Sequence, residues 1–227
     1  MTIVVIELHP AHGPGLLGEV LESRGRAVRL VTRHDGVALP GLDEIRALAV
    51  LGGADADAEV RALAAACVDA DVPVLATGLG ASALLPGVTA AEPALGGVSP
   101  TADAAKDDVF EGLDADTRFL VTATFDPAAA GLVVARMADT PVAVRLGERA
   151  YALAFEPERG VSLDPPPEDD AEAAAAHARR ERYLRPHAIA LLGRWVDAVV
   201  GRTEAEAPWG RSGPPPEARP GLYLNPA

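Results

Sequence analysis

The side chains of this sequence that could do chemistry fall into three groups. His9 and His12 lie in the loop-forming stretch HPAHGPG, and with Asp35 or Glu156 they could hold a divalent metal. Two histidines in such a Pro/Gly stretch are more often ordinary turn or surface residues, so no metal is expected. Cys67 is the one thiol in the chain. Its helical neighbours Val60, Leu63 and Ala64 put it on an apolar face, the setting of a buried structural cysteine and not of a reactive one. Glu156 and Glu158 could pair as acid and base, but with Pro157 between them the better reading is two solvated or salt-bridged carboxylates.

The elements that must position these groups follow an alternating rhythm in the first part of the chain. Residues 2–8 form a β-branched apolar run, Gly13-Pro14-Gly15 makes a turn, and residues 16–24 are amphipathic with a stop at Gly25. Further strands are expected at residues 27–32, 47–51 and 73–77, with a helix over 56–70. Strands alternating with helices predict βαβ units and a parallel sheet covered on both faces. His9 and His12 then fall at the carboxyl edge of that sheet, where ligands bind in open α/β folds.

Beyond Leu85 the rhythm changes to short β-like runs at residues 118–124, 132–137, 141–146 and 149–155, which suits an antiparallel extension. The stretch Pro165-Pro166-Pro167-Glu168-Asp169-Asp170 reads as a hinge with a solvated acidic helix start. The helix it opens, residues 171–182, ends in His177, Arg179, Arg180 and Arg182, a polarity that matches the helix dipole; the basic end could also serve as a docking face. Pro186 is expected to open a further helix reaching about residue 200. Residues 203–227, including Pro214-Pro215-Pro216 and Tyr223-Leu224, read as an irregular tail that could pack on the body or on a partner. The expected organisation is a domain over residues 1–160, a helical appendage over 161–202 on the same core, and the tail.

The 227 residues suffice for one large core, and a composition that is 49% hydrophobic but 4% aromatic builds it from Ala, Val and Leu. A net charge of −13 disfavours nucleic acid and anionic membranes as partners. A single cysteine, no basic-then-apolar leader and no apolar run near the ~20 residues of a membrane span lead us to expect a soluble, cytoplasmic protein.

Three stretches resemble, in order, class I glutamine amidotransferases, especially stand-alone proteins similar to the amidotransferase domain of GMP synthetase. They are Gly13-Pro14-Gly15-Leu16-Leu17-Gly18, the strand end Val50-Leu51-Gly52-Gly53, and Pro73-Val74-Leu75-Ala76-Thr77-Gly78-Leu79-Gly80. A fourth, Tyr151-Ala152-Leu153-Ala154-Phe155-Glu156-Pro157-Glu158, resembles the family's strand ending in Q-F-H-P-E, and the preceding run from Thr140 to Arg149 matches the usual strand and hairpin. The likeness covers roughly residues 2–160. It implies a flavodoxin-like α/β fold with a mostly parallel central sheet, an antiparallel extension and C-terminal helices.

The resemblance also implies roles. Gly52 and Gly53 take the place that supplies an oxyanion-hole N–H. Gly78 stands at the catalytic cysteine of the nucleophile elbow, Glu156 at the general-base histidine, and Glu158 at the glutamate that orients it. Ser82 stands where many relatives carry a substrate-holding glutamine. Thr77 and Ser82 offer hydroxyls beside the elbow, with no histidine at the base position to activate them.

These replacements lead us to expect a pseudoenzyme that binds an unidentified small molecule or protein partner through a cleft lined by Gly52, Gly53, Thr77, Leu79, Ser82, His9 and His12. No cofactor, metal, nucleic acid or membrane is expected, and assembly into homo-oligomers stays open. Two alternatives remain: an enzyme of altered chemistry using Glu156 as base or a metal on His9 and His12, and a subunit of a biosynthetic complex in which Gly78 leaves a pocket or passage.

Overall fold

Alternation of side chains along the first strand, β1 (Thr2–Glu7), sends Ile3 and Val5 to one face of a sheet and Val4 and Ile6 to the other, all of them buried. A strand buried on both faces needs cover on both, and the helices supply it. The computed structural model describes residues 1–10, 13–114, 117–126, 131–159 and 171–201.

The first helix, α1 (Gly15–Ser23), packs Leu16, Leu17, Val20 and Leu21 against the Ile3 and Val5 face. Strand β2 (Val28–Thr32) and strand β3 (Ile45–Leu51) flank β1 in parallel. The second helix, α2 (Ala58–Asp69), is capped by Asp57, whose carboxylate accepts the Val60 N–H at 2.9 Å. It buries Val60, Ala64 and Cys67 against the opposite face, with Val4, Ile6, Leu48 and Val50. Strand β4 (Val74–Thr77) lies beside β3.

The next strands are β5 (Thr89–Gly97), β6 (Ser99–Pro100), β7 (Arg118–Thr124), β8 (Leu132–Met137), β9 (Thr140–Leu146) and β10 (Ala150–Leu153). The main sheet runs β2-β1-β3-β4-β10-β9-β8-β6, parallel from β2 through β10 and antiparallel thereafter. The expected antiparallel extension is therefore present, with one difference. Strand β7 does not join it but pairs with β5 in a separate two-stranded sheet. Strand β5 escapes a sequence reading because it carries Pro93, Gly96 and Gly97, and the register breaks between Ala90 and Ala94 around that proline.

The expectation that Pro186 opens a new helix is also corrected. Helix α3 (Ala171–Arg194) runs through Pro186 without interruption and passes into a π-helical turn at Trp195–Val200. Pro186 faces solvent, so the carbonyl it leaves without a helical N–H partner is open to water. The cost is offset by burial of Leu184, Ala188, Leu191, Leu192, Trp195, Val196 and Val199 on the inner side. Arg24 at the end of α1 fixes this end of the chain through paired bonds of 2.6 and 2.8 Å to Asp197. The acidic run Glu168-Asp169-Asp170 and the tail from residue 203 lie outside the described residues. No helix among the described residues is long and apolar enough to cross a membrane.

A buried polar knot stiffens the antiparallel side. Asp107 accepts the backbone N–H groups of Val109 and Phe110 with one oxygen. Its other oxygen takes Arg145 at 2.9 Å and the Tyr151 hydroxyl at 3.2 Å. Burial, then the charge of Asp107, pushes the Tyr151 hydroxyl pKa up, so it stays a donor. Tyr151 belongs to β10, the strand that delivers Glu156 and Glu158.

Candidate functional site

Strands β3, β4 and β10 run parallel, with Leu153 level with Thr77, so the segments that follow them meet at one edge of the sheet. After β4 the chain turns at once into a 3₁₀ segment, Gly78–Ala83; after β10, Pro157–Arg159 makes a second such turn. Gly78 opens the first turn with φ of +53°, a conformation that costs any residue with a Cβ.

The space beside Gly78 is filled from across the sheet. A Cβ at position 78 would lie 2.4 Å from Oε1 of Glu156, and one at Gly52 would lie 2.9 Å from the same oxygen. The Glu156 side chain thus occupies the volume that a side chain on Gly78 would need. Its Oε1 accepts the Thr122 hydroxyl at 2.8 Å and its Oε2 accepts Arg159 Nη1 at 3.1 Å, while the residue is only 3% exposed. The Gly78 N–H donates to the Phe155 carbonyl at 3.4 Å.

Glu158 sits one turn further on and is 1% exposed. Its Oε1 accepts the Thr77 hydroxyl at 2.6 Å, and its Oε2 is buried with no hydrogen-bond partner among the described residues. Burial first, and the neighbouring Glu156 charge second, push its pKa up to about 8. The expectation of solvated or salt-bridged carboxylates therefore holds for Glu156, which pairs with Arg159, and fails for Glu158. Burial outweighs the attraction of Arg159 and favours a protonated carboxyl there. The backbone at Glu158 is also crowded: a Cβ on Gly15, whose φ is +45°, would lie 2.2 Å from the Glu158 carbonyl oxygen. The Gly13-Pro14-Gly15 turn is thus what lets α1 close against the turn after β10.

The remaining expected site residues separate. Ser82 is buried, and its hydroxyl accepts the Ala56 N–H at 2.8 Å, tying the turn to the start of α2. Thr77 is spent on Glu158. Gly53 and Leu79 are half-buried at the rim. His9 is exposed, His12 lies outside the described residues, and Asp35 stands 3.4 Å from His34. Among the described residues no group of three His, Cys, Asp or Glu side chains could hold a metal. Cys67 is buried, and burial raises its thiol pKa to about 11, so it holds its proton. His177 is half-buried, and Arg179, Arg180 and Arg182 are exposed on α3.

Sequence reasoning missed Arg159 and Thr122. A cation three residues after Glu156 was a usable signal, because it can reach back across a tight turn. Thr122 gave none, since its contact spans 34 residues through the β7 pairing.

No family model and no curated protein sequence matches the chain. Solved structures do. A glutamine amidotransferase from Methylobacillus flagellatus superposes with a TM-score of 0.67 at 17% identity, covering 87% of this chain and 95% of that one. A glutamine amidotransferase from Thermotoga maritima gives 0.66 at 16% identity, covering 86% and 98%. At these identities the likeness is one of fold: a mostly parallel central sheet with helices on both faces, the α/β arrangement expected of class I glutamine amidotransferases.

The crowding at Gly78 sets one prediction. Gly78→Ala lowers the unfolding free energy by about 3 kcal/mol or more, from backbone strain plus displacement of Glu156 from its partners. In a Glu156→Ala background the same change costs only about 1–2 kcal/mol, the strain alone. Equal costs in both backgrounds, measured by denaturant unfolding, contradict the contact.

Glu158 sets another. Its folded pKa of about 8 exceeds the ordinary value of 4.5, so the folded state holds the extra proton between those limits. The stability it contributes is complete below the lower limit and falls by about 1.4 kcal/mol per pH unit until the upper one is passed. Glu158→Gln, which keeps the Thr77 bond, flattens that slope; an unchanged pH profile of stability contradicts a protonated Glu158.

Proposed function

We propose that this chain is a glutamine amidotransferase-like protein that has lost glutaminase chemistry and acts by binding a small molecule or a protein partner. One observation carries the reading: the buried Glu156 carboxylate fills the space beside Gly78, held there by Thr122 and Arg159. A glutaminase of this fold needs a thiolate to attack the amide carbon and a base to move its proton. Neither Gly78 nor an ion-paired Glu156 supplies these. The one thiol, Cys67, is protonated and buried on α2 among core residues.

An enzyme of altered chemistry is the second reading, and Glu158 is the observation in its favour. A carboxyl with a pKa of about 8 is suited to acid–base work near neutrality. At 1% exposure, however, it is shut off from a substrate by the packing around it. A passage through the position of Gly78, as in a complex that hands substrate between subunits, meets the Glu156 side chain.

Purified protein supplied with glutamine is expected to release no ammonia above a buffer blank, and turnover would overturn the reading. A Gly78→Cys, Glu156→His double variant belongs beside it, because a cysteine at 78 has room only once the glutamate is gone. Activity in the double variant alone would mean that the rest of the glutamine site has survived.

A further inference from the structure

Near the turn at Gly78 a hollow of about 530 Å³ opens between the start of α2 and the segment after β4. Its lining includes the exposed Asp55, Arg61, Ala65 and Pro86 and the half-buried Leu84, over a floor of Leu85 and Val88 that is 2% and 8% exposed. That size is ordinary for a small-molecule site. The hollow is fixed in place by two bonds between its sides. Ala56 N–H donates to the Ser82 hydroxyl at 2.8 Å, and Arg61 Nε donates to the Ser82 carbonyl at 3.3 Å.

The second bond orients the guanidinium without using its outer donors. Among the described residues neither Nη atom of Arg61 has a partner, and neither does the Asp55 carboxylate, although both side chains line the same hollow. An arginine anchored through Nε presents a fixed pair of N–H groups suited to a carboxylate. Ala65, Leu84 and Pro86 in the same lining offer accessible apolar surface suited to an aliphatic body. Asp55 at the same hollow disfavours a second negative charge on the ligand.

We propose that this hollow binds a small amphipathic monocarboxylate, its carboxylate on Arg61 and its aliphatic body against Ala65, Leu84 and Pro86. The inference rests on the reading that the chain binds and does not turn over glutamine. Its failure is separable from a failure of that reading, because ammonia release does not involve Arg61.

The test is an NMR titration of the full chain with hexanoate, hexanamide and adipate. Saturable shifts are expected at Arg61 and across residues 83–88, with hexanoate binding at least tenfold more tightly than hexanamide or adipate. Arg61→Gln is expected to weaken hexanoate at least tenfold. Ala65→Phe, which fills the hollow from α2, is expected to abolish binding while the far-ultraviolet spectrum stays that of the natural chain. The proposal is overturned by the absence of shifts at up to about 20 mM hexanoate, by shifts confined elsewhere, or by hexanamide binding as well as hexanoate. It is equally overturned by a folded Arg61→Gln chain with unchanged affinity; should that variant not fold, hexanoate binding unchanged in Ala65→Phe overturns it.

Discussion

A carboxylate oxygen of Glu156 lies 2.4 Å from where a Cβ on Gly78 would be, and that close approach governs the candidate site. It ties three segments together. Gly78 has to remain without a side chain, Glu156 has to enter from the end of β10, and Thr122 with Arg159 has to hold its charge once it is out of water. Each supports the others: a side chain at 78 would expel the glutamate, and a lost Arg159 would take away the cation bonded to its Oε2. The glycine at the turn is therefore explained twice, by its positive φ and by its neighbour.

The energetics of such a cluster are lopsided. Burying an ion pair gains little net stability, because desolvation takes back most of the attraction, while removing one partner is expensive. Glu158 avoids that cost differently, by favouring its proton and taking one hydroxyl bond from Thr77. Two acidic residues separated only by Pro157 thus differ because Arg159 bonds directly to Glu156, while at Glu158 burial outweighs the attraction of the same cation. The Asp107, Arg145 and Tyr151 knot plays a comparable part on the antiparallel side, fixing β10 so that its end arrives opposite Gly78.

Much of the frame was legible in the residues. The periodicity of residues 2–77 marked the first four strands and both early helices, because turn or capping residues punctuate them and all but the edge strand β2 bury a run of apolar side chains. Strand β5 was hidden by Pro93 and its two glycines, and the continuity of α3 by Pro186. In both places tertiary pairing overrides a local signal that ordinarily ends an element. At the site, the identities at 78, 156 and 158 could be read from a motif, but their consequences could not. Whether Gly78 leaves a hole or is filled depends on a rotamer of Glu156 and on a threonine from a strand whose partner, β5, was not visible in the sequence.

The most direct measurement is a crystal structure of the chain soaked in L-glutamine. The account predicts that no glutamine occupies the space beside Gly78 and that the Glu156 carboxylate remains within hydrogen-bonding distance of Thr122 and Arg159. Glutamine seated there, with Glu156 swung away, would contradict it and would mean that the elbow is a substrate site with a movable side chain across it.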